Sequence, residues 1–351
     1  MSVDLVSDGG MLDEPGRQTH SASFLRRHRA LLILVALPVV LALVVGGWLW
    51  RINGDIAGIQ RFEAHLDRPD RPESVEVKDG SPINVVIAGV DDGKGTDLED
   101  ALGADTWPAG AFRSDTIMVL HLNANRTEGQ LVSIPRDSYV DVPGHGTDKI
   151  NASFSYGGPA LLARTLEDLT GVRMDHSVVL DWNGFDGITD AVGGVDVADE
   201  DGQDIHLEGE AALEYVRERK SLPRGDFDRI ERQQNFVRAI FKKLSSAGVL
   251  RNPLEITSLA GTLDEFLAVD SSLDNGRIRS LALQHRGLRP GDLSFVTVPT
   301  LGTDTVDGAS IVRLDRPATR DLFDAVAHDE YLAWQEANDA VDELPEEQDV
   351  D

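Results

Sequence analysis

Apolar positions follow two rhythms along this chain. The stretch 30–50, ALLILVALPVVLALVVGGWLW, is apolar and carries no charge. At about 1.5 Å per residue it crosses a hydrocarbon core of about 30 Å, so it predicts one transmembrane helix. Downstream, short apolar runs alternate with stretches of helical period. Residues 83–90 (INVVIAGV), 116–122, 130–134, 177–181, 195–197 and 293–298 predict strands. Asn123 to Arg126 reads as a hairpin turn between the second and third. One helix is expected after Gly158-Pro159 and ending before Gly171. Others are expected over 184–192, 226–244 and 317–327, with two more between 253 and 300. In the 226–244 helix, Ile230, Val237, Phe241 and Leu244 form an apolar stripe. Arg229 and Gln233 lie beside that stripe, one turn apart. Residues 213–217 either end a helix or form a strand. Near-continuous apolar strands alternating with helices predict an α/β fold, an α/β/α sandwich around a central mixed β-sheet.

Polar segments divide the rest. Arg26, Arg27 and Arg29 precede the apolar span, and Trp48 and Trp50 sit at its far end. The positive flank predicts a cytoplasmic tail over 1–29 and an extracytoplasmic remainder, on a single-pass protein of the cell membrane. Residues 51–82 read as a stalk: a short helical pattern over 52–66, then the linker RPDRPESVEVKDGSP. The folded domain is expected over 83–328, with a Gly/Asp-rich loop at 93–112 and an aromatic, Gly-rich turn at 152–158. From Asp329 to Asp351 there are ten acidic residues and no Lys or Arg, so this tail is expected to fray.

Charge and composition narrow the chemistry. The 351 residues include 61 acidic and 33 basic side chains, for a net charge of −28. That balance argues against a nucleic-acid partner, which needs a basic face. The chain has no cysteine, which excludes disulfides, thiolate metal sites and cysteine nucleophiles. A metal would rest on oxygen or histidine, which favours a hard cation such as magnesium. Against this acidic background, Arg217, Arg219, Lys220, Arg224, Arg229 and Arg232 fall within sixteen residues. Guanidinium forks match phosphate oxygens. On a strand, Arg217 and Arg219 would share a face. The competing reading is a solvated run paired locally with Glu218, Asp228 and Glu231.

Asp91 follows the first predicted strand and Asp115 precedes the second. If those strands pair antiparallel, both carboxylates converge at one sheet end, where one magnesium could bridge them to a diphosphate. Arg113, Arg136 and Lys149 stand at loop–strand junctions and could add cations to the same anion. A lone Asp at a strand end is otherwise explained by turn chemistry.

The series Asn84-Val-Val-Ile-Ala-Gly-Val-Asp91, Arg113-Ser-Asp-Thr-Ile-Met118, Ser133-Ile-Pro-Arg-Asp137, Asp148-Lys-Ile-Asn-Ala152, Tyr156-Gly-Gly158, Val192-Gly-Gly-Val-Asp196 and Gly225-Asp-Phe-Asp-Arg-Ile-Glu-Arg-Gln-Gln234 resembles the LytR-CpsA-Psr family. The motif-bearing core covers about 83–245. The resemblance implies an α/β/α sandwich with a greasy pocket for a polyprenyl chain. It implies a phosphotransferase that moves a glycopolymer from a polyprenyl-diphosphate carrier onto peptidoglycan. Carried over by motif, Asp91 and Asp115 would bind magnesium (or manganese). Arg136, Arg217, Arg219 and Arg229, with Gln233, would grip the diphosphate, supported by Arg113 and Lys149. Arg136, Arg217 and Asp115 are the expected catalytic residues, with Asp115 the candidate base. Two other readings use the same residues: hydrolysis of the lipid diphosphate by water, or a non-catalytic membrane-attached regulator or lipid-binding module.

Overall fold

The computed structural model describes residues 58–90, 96–181, 189–190, 192–198, 203–218, 221–246, 267–338 and 344. The expected span at 30–50 and its N-terminal tail lie outside these residues. Among the described residues, no helix is long and apolar enough to cross a membrane.

A seven-stranded mixed sheet forms the centre. Its strands are β1 (Gln60–Phe62), β2 (Ile83–Val90), β3 (Ser114–Leu122), β4 (Gly129–Ser133), β7 (His176–Asp181), β10 (Leu267–Asp270) and β11 (Leu293–Thr297), in the order β1-β10-β7-β2-β3-β4-β11. β2 runs antiparallel to β3 and parallel to β7, while β3 and β4 are antiparallel and β4 and β11 parallel. Three hairpins stand outside the sheet: β5 (Tyr139–Val142) with β6 (Gly146–Lys149), β8 (Val195–Ala198) with β9 (Asp204–Leu207), and β12 (Thr300–Val306) with β13 (Ala309–Leu314).

Helices cover both faces, which is why the inner strands are apolar on both sides. Val86, Ala88, Ile117, Val119 and Val132 pack with α2 (Ile150–Thr170) and α6 (Arg316–Ala327) through Phe154, Leu162, Leu166, Leu322 and Phe323. On the other face, Ile87, Met118, Leu120 and Leu131 meet Val237 of α4 (Asp226–Ser246). There too, Val178 and Val269 meet Ile278 and Leu281 of α5 (Asn275–Gln284). The expected mixed sheet between helices is therefore the observed architecture.

Several expectations change. The stalk reading ends at residue 58, because the chain already belongs to the domain there. Gln60–Phe62 is a strand, not part of a helix, and pairs with β10. Arg68 and Arg71 then hold the buried carboxylate of Glu167, Arg68 Nη2 at 2.5 Å and Arg71 Nη2 at 2.7 Å. Polar content suggested a tether, but these charges are matched across the fold.

The 93–112 loop contains α1 (Leu98–Leu102), whose N-cap Asp97 accepts from the amides of Glu99 and Asp100. Residues 152–158 are the first turns of α2, not a turn between elements. The helix breaks at Gly157 and Gly158, where Gly158 takes φ 64°. A Cβ there would lie 2.8 Å from the Trp107 ring, so both the backbone and the close approach require glycine. Gly171 caps α2 in the left-handed region at φ 77°, as expected.

Residues 213–217 are the end of α3 (Gly209–Arg217), so the strand alternative falls. In α4 the buried face carries Ile230, Phe236 and Ala239 together with Arg229, Gln233 and Gln234, rather than the expected Phe241 and Leu244. The tail also departs from expectation as far as it is described. α7 (Tyr331–Ala337) buries Tyr331, and Leu344 is buried beside Phe295. The Leu344 amide donates to the Phe295 carbonyl at 3.0 Å. A few apolar anchors outweigh the net charge that suggested fraying.

Candidate active site

The antiparallel β2–β3 pair puts Val90 opposite Ser114. The β3–β4 pair sets Met118 opposite Ser133, and Ser133 is opposite Thr297 of β11. The C-terminal ends of β2, β4 and β11 therefore share one end of the sheet with the start of β3. Loops at the C-terminal ends of strands in α/β sheets are where ligand crevices form. Asp115 is the second residue of β3, and Arg136 lies three residues past β4.

These two side chains meet. Arg136 Nη1 reaches Asp115 Oδ1 at 2.5 Å, and Arg136 Nε reaches Asp226 Oδ2 at 3.1 Å. The same Asp226 oxygen accepts from Arg229 Nη2 at 3.1 Å. Carboxylate and guanidinium thus alternate through Asp115, Arg136, Asp226 and Arg229 at one sheet end. Burial opposes the charge on Arg136, but Asp115, Asp226 and Asp137 outweigh it and hold its pKa above the usual arginine value. It stays cationic at any physiological pH.

Neighbouring backbone fixes Arg136 in place. The Asn151 amide donates to the Arg136 carbonyl at 3.2 Å, and the Ile150 amide to Ser138 at 2.8 Å. The loop after β4 is therefore tied to the first turn of α2. Lys149, the N-cap of that helix, places Nζ 2.9 Å from Asp137 Oδ1. α4 is docked over the same end by Gln234 Nε2, which donates to Ser133 Oγ (2.9 Å) and Thr297 Oγ1 (3.3 Å).

The other expected residues are placed less directly. Gln233 Nε2 donates to the Val216 carbonyl at 3.3 Å, so it joins α4 to the end of α3 that carries Arg217. Arg217 is exposed in the last turn of that helix. Because that turn is helical, the strand argument for a face shared with Arg219 does not hold. Arg113 is exposed and acts electrostatically on Tyr156, whose hydroxyl donates to Asp148 Oδ2 at 2.6 Å. The hydrogen bond to Asp148 raises the Tyr156 pKa, with burial adding to it, and Arg113 partly opposes the rise. Asp91 and Arg219 lie outside the described residues.

The solvated-run reading is right for Arg224. Its guanidinium pairs with Asp228 at 2.5 Å and Glu231 at 2.6 Å. Arg232 lies over the Tyr215 ring, 4.8 Å from its centroid. Asp226 is the residue that sequence reasoning left without a role. Its signal was present: an acid in the first turn of a helix, three residues before Arg229, is placed to pair with it. Two surface clefts, of about 670 Å³ beside Asp141 and Arg316 and about 450 Å³ beside Arg126, are lined by none of the expected site residues.

Comparison with known proteins identifies the family and the fold. The family model for the LytR_cpsA_psr family matches residues 58–327. The chain belongs to this family. The LytR_cpsA_psr match begins at residue 58, where the described domain also begins. Among curated relatives, the probable cell wall biosynthesis protein LcpB of Corynebacterium glutamicum is 33% identical, over 89% of this chain and 74% of its own. A polyisoprenyl-teichoic acid–peptidoglycan teichoic acid transferase, TagU of Oceanobacillus iheyensis, is 30% identical over 72% of this chain and 79% of its own. Among solved structures, TagV of B. subtilis superimposes with a TM-score of 0.56 at 25% identity, covering 71% of this chain and 97% of that one.

Proposed function

We propose that this chain is a membrane-anchored phosphotransferase that moves a glycopolymer from a polyprenyl-diphosphate carrier onto peptidoglycan. The observation that carries this reading is the fixed Arg136, held at the sheet end between Asp115 and Asp226 with Arg229 beside it. Membership in a family that includes the named TagU transferase supports it. Residues 30–50 would anchor the chain, with the domain extracytoplasmic and the N-terminus cytoplasmic.

In the reaction, a peptidoglycan hydroxyl attacks the phosphorus that bears the glycopolymer. The P–O bond to the second phosphate breaks and polyprenyl monophosphate leaves. The new bond is a phosphodiester, and the hydroxyl proton passes to Asp115. Negative charge builds on the phosphoryl oxygens as the bond breaks, and preorganised guanidinium groups lower its energy without giving up a proton. Arg136 and Arg229 are held for this role; Arg217 at the end of α3 and Arg219, outside the described residues, would join them, with Lys149 and Arg113 as supporting cations and Gln233 steadying the end of α3.

The oxygen donors fit a hard divalent cation such as magnesium in kind. Among the described residues no group of three His, Asp or Glu converges. Asp115, and Asp91 outside the described residues, would hold such an ion. Bound there, it would neutralise charge on the diphosphate.

The test is reconstitution with a polyprenyl-diphosphate-linked glycan, with and without peptidoglycan. A coupled glycan–peptidoglycan product formed only when both are present is the expected result. Release of glycan phosphate at the same rate without peptidoglycan would replace this reading with hydrolysis. No turnover under either condition would favour a binding or regulatory role.

A further inference from the structure

A second cationic surface lies at the opposite end of the sheet. It is made by Arg126, in the turn between β3 and β4, and by Arg277 and Arg286 around α5. β3 has nine residues, so at about 3.3 Å per residue this turn is about 26 Å from Asp115.

What sets this surface apart is how its charge is held. Many arginines of the domain find carboxylates, as Arg68, Arg71, Arg136, Arg164, Arg313 and Arg316 do, although Arg61 and Arg320 bond neutral oxygens. Arg126 is of this second kind. Its Nε donates to Gln284 Oε1 at 3.2 Å, its Nη1 to the Asn123 carbonyl at 3.1 Å, and its Nη2 to the Ser81 carbonyl at 3.1 Å. All three acceptors are neutral, so the guanidinium is oriented but its charge is not cancelled. No described carboxylate comes within ion-pair reach of Arg126, Arg277 or Arg286. Asp274 accepts from the Arg277 backbone amide at 2.7 Å, not from its guanidinium. Arg286 Nη1 donates to the Leu283 carbonyl at 3.1 Å.

Arg277 also acts repulsively on Arg126. Burial first, and then Arg277, push the Arg126 pKa down, and Asp329 offsets only part of this. Asp329 is itself engaged by His121 Nε2 at 3.0 Å and by the Ala124 amide at 2.9 Å. Like charges held together in a chain of net charge −28 are a standing cost that an oxyanion between them removes.

A cleft of about 450 Å³ opens beside Arg126 and Arg286, lined also by Asn125, Thr127, Ser280 and the exposed Leu283. Ser280, Leu283 and Gln284 of α5 line the cleft, and Arg277 lies one turn before Ser280, outside the lining but close enough to act on Arg126. Hydroxyl and amide groups beside cations suit sugar hydroxyls, and a leucine suits the C–H face of a pyranose.

We propose that this surface binds an anionic saccharide, a sugar chain carrying carboxylate or phosphate groups. Guanidinium forks grip the oxyanions, and the Asn125, Thr127 and Ser280 side chains meet the hydroxyls. The inference is independent of the transfer reaction, because it requires only equilibrium binding at a surface remote from Asp115.

The test uses the full chain in detergent, titrated calorimetrically with an oligogalacturonate, a phosphorylated dextran oligosaccharide and neutral dextran of equal length. At least one charged probe binds and neutral dextran does not, and the two charged probes tell carboxylate from phosphate. Arg277→Gln with Arg286→Gln weakens binding by about tenfold or more, since each loses a charge-assisted contact. Arg313→Gln with Arg316→Gln removes the same charge elsewhere and leaves binding unchanged. Arg126 is left in place because it ties the turn to Ser81. Equal weakening by both pairs of substitutions would reduce the effect to net charge and overturn the proposal. So would binding of neutral dextran at equal strength, or no binding of either charged probe to the unaltered chain.

Discussion

Arg136→Ala is expected to lower glycopolymer transfer by about 10²–10³-fold, the range seen when one preorganised donor to a developing oxyanion is lost. The measurement is initial rate of coupled product in the reconstituted assay. The size follows from how Arg136 is held. One fork reaches Asp115 at 2.5 Å and Asp226 at 3.1 Å, and its backbone carbonyl is tied to α2. Its position is therefore set before substrate arrives, and little reorganisation accompanies the reaction. Alanine also leaves Asp115 and Asp226 facing the diphosphate without the cation between them, which adds repulsion. Arg136→Lys keeps the charge but not the fork, so it should recover only part of the rate. The fold should survive, because Asp226 keeps Arg229 at 3.1 Å and Gln234 still docks α4 on Ser133. A variant with full transfer rate would remove Arg136 from the catalytic set.

Glu167→Ala is expected to be the most destabilising single change at an ionic group, by about 3–5 kcal/mol, because it strands buried cations. The Glu167 side chain is fully buried, and that of Arg71 is 4% exposed. Glu167 accepts from Arg68 Nη2 at 2.5 Å, from Arg71 Nε at 2.9 Å and from the Met174 amide at 2.9 Å. Arg71 further bonds the Leu66 and Met174 carbonyls. This network joins the segment after β1 to the end of α2 and the approach to β7. Thermal unfolding should show Tm lower by roughly 10 °C. Arg71→Met combined with Glu167→Leu removes both charges and should recover most of the loss, since a buried pair is often replaceable by apolar side chains. Arg68 keeps Asp70 at 3.0 Å in that variant. A double variant as unstable as Glu167→Ala would show that packing, not charge, dominates there.

What the sequence disclosed follows from which residues carry strong local signals. β2, β3, β4, β7 and β11 were legible because both sheet faces are covered and their strands are apolar runs. Gly171 announced the end of α2 through its left-handed φ. β12 was not legible, because its residues are mostly exposed and polar, with Leu301 itself turned outward. β1 has three residues, Gln60, Arg61 and Phe62, and no periodicity can be read from three positions. The role of residues 58–82 depended on Glu167, nearly one hundred residues away, which no local pattern predicts.

At the site, the approach of Asp115 to Arg136 follows from the antiparallel pairing of β3 and β4, whereas the sequence pointed through β2 and β3 to Asp91, which lies outside the described residues. The bridging role of Asp226 required knowing that α4 begins over the end of β4. Arg224 and Arg232 belonged to the same basic run, yet they are engaged by Asp228, Glu231 and Tyr215. Within such a run, only geometry separates residues that grip a ligand from residues that are locally paired.

The central claim is that the Arg136 end of the sheet grips a diphosphate. Calorimetric titration of the full chain with a short-chain polyprenyl diphosphate, beside the corresponding monophosphate, tests it most directly. The account predicts that the diphosphate binds more tightly than the monophosphate, and that Arg136→Ala and Arg229→Ala each weaken it by about tenfold or more while the monophosphate is less affected. Equal affinity for the two lipids, unchanged in both variants, would contradict it.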